Sequence, residues 1–160
     1  PPNEGLQLGA ENDASYTVDD AGTACANGGF SVTLRDFGRF GQMVLQNGFY
    51  NGRQIVPAEM IDGFFGGDHA KFMKSAKGAL VSKELPSFFS KGAYSYQWWA
   101  MDADKRDRTL ALGSFGNLLY LDRTRNVVMA QLATQRVNAD IPTKRLEFKM
   151  LEALLGALED

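Results

Sequence analysis

Leu34, Phe37, Gly41, Val44 and Leu45 recur at the three- and four-residue spacing of a helix face. Thr33 precedes this run and Asp36 follows three residues later, a capping box with Asp in the usual Glu position. Asn47-Gly48 supplies the stop, so the spacing predicts a helix over about 34–46. Asn51-Gly52, set between Phe49-Tyr50 and Gln54-Ile55-Val56, predicts a tight hairpin. Pro57 suits the first turn of a short helix carrying Ala58, Met60 and Ile61. Upstream the pattern is irregular: Pro1-Pro2-Asn3-Glu4-Gly5 is turn chemistry, Asp13 to Val18 a short extended piece, and Asp19-Asp20-Ala21-Gly22 a turn. Natural chains rarely begin Pro-Pro, so residue 1 is not expected to be the start of the gene product. In Asn27-Gly28-Gly29 the paired glycines permit close backbone approach or positive φ. From Gly66 to Lys91 periodicity is weak, which predicts a long surface excursion.

Beyond Gly92 the period becomes two. Tyr94, Tyr96 and Trp98 alternate with Ser95 and Gln97, predicting a half-buried strand with an aromatic face. Asp102 to Arg108 reads as a solvated connection. Thr109 to Leu112 is apolar, Gly113-Ser114-Phe115-Gly116 interrupts it, and Leu118 to Leu121 resumes it; Val127 to Leu132 is a buried strand after a turn. Three strands at 93–101, 109–121 and 126–134, joined by short connections, predict an antiparallel sheet. Asp140 or Thr143 then caps a closing helix over 143–158, whose Leu146, Met150, Leu151, Leu154, Leu155 and Leu158 form a stripe that covers one sheet face. The fold class is α+β.

The 160 residues carry 17 Lys+Arg against 19 Asp+Glu, and their 44% hydrophobic and 22% charged content excludes a disordered or collagenous chain. This length suits one domain. A net charge of -2 gives no footprint for nucleic acid, and no apolar run approaches the roughly 18–20 residues of a membrane-spanning helix. The single cysteine, Cys25, excludes an intrachain disulfide and a Cys-based zinc site, and His69 is the sole imidazole. Neither a dinucleotide fingerprint nor a P-loop occurs, so no cofactor or metal is expected. His69 reads as a surface histidine, because no G-x-S-x-G elbow presents a serine to it. Cys25 reads as a small buried apolar residue, and the aromatics at 94–99 as core rather than a stacking platform.

Four blocks carry a resemblance. Residues 28–41, Gly28-Gly29-Phe30-Ser31-Val32-Thr33-Leu34-Arg35-Asp36-Phe37-Gly38-Arg39-Phe40-Gly41, resemble the GG-x-x-x-T-x-R-D-x-x-R-F-G stretch of serine β-lactamase-like hydrolases. Asn51 to Pro57 resembles their NG-x-QIVP, Tyr94 to Trp99 their YGYxWW strand, and Gly113 to Asp122 their G-x-x-G-Q-x-I-Y-V-D. The blocks stand in the family's order over nearly the whole chain, nearest in character to the group of 6-aminohexanoate-dimer hydrolases, class C β-lactamases and related esterases.

The resemblance implies acylation of a serine in Ser-x-x-Lys, assisted by Tyr-x-Asn, with a third Lys-Thr-Gly-like element on a strand. The first motif sets an amine one helical turn from the hydroxyl whose proton it accepts. None of the eight serines here has lysine three residues on, and none of the five tyrosines has asparagine two residues on. Residues 1–160 are therefore expected to be the C-terminal part of a single β-lactamase-like domain, with both motifs in an N-terminal half absent from this chain. Ala111-Leu112-Gly113 takes the Lys-Thr-Gly position. The resemblance then implies that the backbone N–H of Ser114, next to Gly113, is one of two oxyanion donors, with Asn27, Gly28, Gly29, Ala111, Leu112 and Phe115 lining the cleft. The expected partners are that N-terminal half or a second copy of this chain, together with a small amide or ester substrate. A different class stays open: a non-catalytic binding or interaction module built on the same fold.

Overall fold

The computed structural model describes residues 8–25, 28–138 and 141–158. Asn27 and Asp140 lie outside the described residues. The chain opens with a small pair of strands, β1 (Ser15–Tyr16) and β2 (Phe30–Ser31). Asp19 closes the expected turn between them by accepting the Ala21 and Thr23 N–H groups.

Helix α1 spans Leu34–Leu45, and its Thr33 hydroxyl oxygen accepts the Asp36 N–H at 3.2 Å. The reciprocal half of the capping box is replaced. The Asp36 carboxylate is buried and accepts the Glu11 and Asn12 N–H groups, the Thr33 hydroxyl and the Arg39 guanidinium. At the other end, Asn47 at φ 56 donates to Val44 O and Gly48 donates to Met43 O, a Schellman stop. Hairpin β3 (Phe49–Tyr50) to β4 (Arg53–Gln54) turns at Asn51-Gly52, both at positive φ, as expected. Helix α2 follows at Ala58–Phe64.

Residues 66–91 are not a surface excursion. They form α3 (His69–Lys74), α4 (Ala76–Glu84) and α5 (Pro86–Phe89), which bury Phe72, Leu85, Phe88 and Phe89. Each is too short to display a period, and each begins on a local signal: the Asp68 carboxylate, the Ser75 hydroxyl, or Pro86.

The main sheet has five strands in the order β5 (Ala93–Ser95), β6 (Trp98–Ala100), β7 (Arg108–Leu112), β8 (Leu118–Asp122), β9 (Val127–Gln131), every neighbour antiparallel. Two of the three expected strands are in fact hairpins. Tyr96-Gln97 forms a turn with both residues at positive φ, so 93–101 doubles back. A single 3-10 turn at Ser114–Gly116 reverses 109–121. Asp102, expected on a solvated connection, is buried and caps the Asp104 and Lys105 N–H groups.

Helices cover both faces of the sheet. On one, Leu110, Leu118 and Tyr120 pack with Leu85, Phe88 and Phe89 and with α6 (Ile141–Gly156). On the other, Leu119 and Leu121 pack with Met43 and Val44 of α1, Ile61 and Phe64 of α2, and Trp98. Each large side chain so buried stabilises by about 1.5–3 kcal/mol. Helix α6 begins two residues before the expected cap Thr143, and its core face is rotated. Phe148, Leu151 and Leu155 are buried together with Lys144 and Glu147, whereas Leu146, Met150, Leu154 and Leu158 are exposed.

Candidate functional site

The β7–β8 turn is a tightly pinned piece of backbone. Gly113 donates its N–H to Asn117 O at 2.8 Å, and a Cβ at Gly113 would sit 2.9 Å from the Asn117 Cβ, so glycine fits there. Phe115 is left-handed at φ 57, ψ 29, a conformation costing a bulky residue about 1–3 kcal/mol. Three consecutive peptide groups after Ser114 are held. Ser114 O accepts Asn117 Nδ2 at 3.0 Å, and the Phe115 N–H donates to Asn138 Oδ1 at 3.3 Å. Phe115 O accepts the Gln135 N–H at 2.9 Å, and Gly116 O accepts Gln131 Nε2 at 2.7 Å. The N–H of Ser114, an exposed residue, by contrast meets no acceptor among the described residues.

Behind the turn lies a charged pair. Lys144 Nζ and Glu147 Oε2 are 2.8 Å apart on α6, both buried. Glu147 Oε1 also accepts Gln131 Nε2 at 3.2 Å and the Gln135 side-chain amide. Gln135 Oε1 is thereby left buried without a partner, at a cost of about 1–3 kcal/mol. Reversing that amide would set two oxygens against each other at Glu147. Asn117 Oδ1 accepts the Ala133 N–H at 3.0 Å, tying the turn to the segment after β9.

Gly113, Ser114 and Phe115 share this turn, with Phe115 about half exposed. Ala111 and Leu112 lead into it on opposite faces of β7. Gly29, at φ 75, lies where a Cβ would meet the Thr17 hydroxyl at 2.4 Å, and its carbonyl accepts the Thr17 N–H. Among the described residues Gly29 thus bonds to Thr17 beside β1 and not to residues 111–115. Asn117, Gln131, Gln135, Asn138 and Glu147 are residues bonded around this candidate site that sequence reasoning missed. Their one local signal, Lys144 and Glu147 three apart on a helix, ordinarily marks a solvated ion pair.

Other candidates are structurally engaged. His69 Nδ1 lies 2.7 Å from Gly92 O and so donates to it. Cys25 is partly buried. Trp98 is core, stacked on Phe64 at 5.1 Å between centroids, whereas Tyr94 and Tyr96 are exposed. A surface cleft of about 420 Å³ lies between α3, α4 and the aromatic pair Tyr94–Trp99, and residues 111–117 do not line it. Among the described residues no group of three His, Cys, Asp or Glu side chains is placed to hold a metal ion.

No family model matches the chain. It is 31% identical over 128 residues to the 6-aminohexanoate-dimer hydrolase of Paenarthrobacter ureafaciens, an alignment covering 80% of this chain and 31% of that protein. The solved structure named "Putative 6-aminohexanoate-dimer hydrolase from Bacillus anthracis" superposes with a TM-score of 0.76 at 27% identity, over 96% of this chain and 36% of that one. A second, named "Crystal structure of putative beta-lactamase from Bacteroides dorei DSM 17855", gives a TM-score of 0.54 at 17% identity, over 81% and 41%, and shares the fold. The chain thus spans about a third of the length of the first two. Fold and sequence likeness together set the chain beside a C-terminal part of the β-lactamase-like hydrolases. Within that class its similarity runs to proteins named 6-aminohexanoate-dimer hydrolase.

Proposed function

We propose that this chain forms part of the substrate cleft of a serine hydrolase that cleaves amide or ester bonds through an acyl-enzyme, with the Ser114 N–H as one of two oxyanion donors. The observation that carries this is the unaccepted N–H of the exposed Ser114 on a turn whose following three peptide groups are all fixed. A preorganised backbone donor stabilises charge as it develops and needs no reorganisation during the reaction. Alanine at 111, where the family resemblance implies a cationic residue, removes a carboxylate-binding charge and favours linear amides or esters over penicillin-like substrates.

The activated serine comes from outside residues 1–160, either from an N-terminal half of the same domain or from another polypeptide. Residues 1–160 in isolation are expected to hydrolyse neither nitrophenyl esters nor nitrocefin nor short amides, and to resist a fluorophosphonate probe. Labelling of the isolated chain would sink the assignment and return attention to His69 and Cys25. The alternative, a non-catalytic binding module, is favoured by the lack of any Ser-x-x-Lys among the eight serines. It predicts no acylation even when the chain is paired with the remainder of its domain.

In the complete enzyme, Ser114→Ala should leave kcat within a few fold. A backbone ester in place of the 113–114 peptide should lower it by about 10²–10³. An alanine variant as damaged as the ester would mean that the hydroxyl matters and that the alignment of Ala111-Leu112-Gly113 is wrong.

A further inference from the structure

We propose that Gln131 and Glu147 are positioning residues for the Ser114 N–H, the buried Lys144–Glu147 pair on α6 holding the Gln131 amide so that its Nε2 anchors the Gly116 carbonyl and, through it, the turn. This rests on the reading of Ser114 as an oxyanion donor.

A primary amide has two N–H groups, and Gln131 uses both, one on Gly116 O at 2.7 Å and one on Glu147 Oε1 at 3.2 Å. The carboxylate dictates which end of the amide faces the turn, because the reversed amide would set oxygen against oxygen. Gln135 obeys the same constraint: its Nε2 serves Glu147 while its Oε1 stays buried and unpartnered. Gln135 also lies against Gly116, where a Cβ would come within 2.4 Å of its Nε2. Phe115, left-handed without being glycine, would gain by rotating its flanking peptides. Such a rotation, carried back one residue, turns the Ser114 N–H away. Gln131 opposes it one peptide further on, by holding Gly116 O, and the Gln135 side chain opposes it by filling the space beside Gly116. A buried ion pair adds little to stability over an apolar pair of equal volume, so the distinctive output of Lys144–Glu147 is this orientation.

The test uses the complete hydrolase with Gln131→Met, which keeps the length of the side chain and removes the amide, and Glu147→Gln, which keeps shape and removes charge. Steady-state kinetics, hydrogen–deuterium exchange of the 112–118 segment and circular dichroism are measured on both. The expected result is a 10- to 100-fold lower kcat, a fraction of the loss from deleting the donor outright, with KM within about two-fold. Exchange in 112–118 should be faster, and the double variant no worse than Gln131→Met alone, because the two act through one link. A lower melting temperature with kcat unchanged would reduce both residues to structural roles and overturn the proposal, as would unchanged exchange. If the 113–114 ester leaves kcat intact, the reading of Ser114 fails and this proposal falls with it. Faster exchange in Gln131→Met would then mark the link as structural only, which distinguishes the two failures.

Discussion

At Asp36 one carboxylate gathers the Glu11 N–H first, then the Thr33 hydroxyl, the Arg39 guanidinium and the Asn12 N–H, and these donors hold its pKa far below the usual carboxylate range against the opposing effect of burial. A carboxyl whose pKa is lower folded than unfolded stabilises the fold above its unfolded value, about 3.9, and that contribution is lost as the pH falls through the folded value. Asp36→Asn should therefore lower the melting temperature at pH 7. The gap to the parent should narrow steadily below about pH 4, as read by thermal melts across pH 2–7. A gap that widens on acidification would refute the linkage. Thr33 as a cap was legible because the capping box is a local pattern. The burial of Asp36 among long-range donors was not, since its partners Glu11 and Asn12 lie more than twenty residues away in the chain. The candidate site divides the same way. Gly113 and Ser114 were singled out through a contiguous resemblance, whereas Gln131, Gln135 and Asn138 in one segment and Glu147 on α6 meet at the turn from elsewhere, with only the Lys144–Glu147 spacing as a local trace.

Helix α1 rides close on the sheet because it carries no side chain at Gly41. A Cβ there would lie 2.6 Å from Val128 Cγ1 and 2.9 Å from Leu119 Cδ1. In a free helix Gly→Ala stabilises by roughly 0.5–1 kcal/mol. Here overpacking reverses the sign, and Gly41→Ala should cost about 1–3 kcal/mol in urea denaturation; a stabilised variant would show that the helix can lift without penalty. Elements announced by capping and turn residues, α1 and the β3–β4 hairpin, were readable at their true positions. The hairpins at Tyr96-Gln97 and at Ser114–Gly116 were not, because Tyr96, Gln97 and Phe115 take positive φ without being glycine, and alternation continues through the first as if the strand ran on. In α6 the leucine count pointed partly to the wrong face: Leu151 and Leu155 are buried as expected, but Leu146, Leu154 and Leu158 are exposed. Phe148 with Lys144 and Glu147 turns inward, and a buried Lys–Glu pair reads in sequence as a solvated one.

On the scale of the whole molecule, α+β with an antiparallel sheet was legible from strands too closely spaced for parallel crossovers, and covering of both faces was not, because α3 to α5 left no periodic signal. Among the described residues β9 is a half-buried terminal strand of the sheet, and Leu146, Met150 and Leu154 stand exposed four residues apart along α6, with Leu158 just past its end. Unpaired edges and apolar rows promote association. The isolated chain should sediment as a concentration-dependent oligomer, and Leu146→Glu with Leu154→Glu should shift it towards monomer with its circular dichroism unchanged. A monomer at every concentration would count against this. The burial of β8 on both faces reaches further. All five of its residues are buried, and Leu118 to Leu121 are apolar throughout, so sliding the strand by one position would exchange greasy for greasy. Hydrophobicity therefore carries little alignment signal at the centre of this protein, and the message falls to three hydrogen-bonding side chains without solvent exposure, Thr109, Tyr120 and Asp122. Asp122 answers the Tyr120 hydroxyl at 3.0 Å and the Arg125 N–H at 2.9 Å, and Thr109 donates to Phe64 O at 2.6 Å. They act as the notches of a key for the β7–β8 pair, and the Ser114 turn that joins those two strands depends on their alignment.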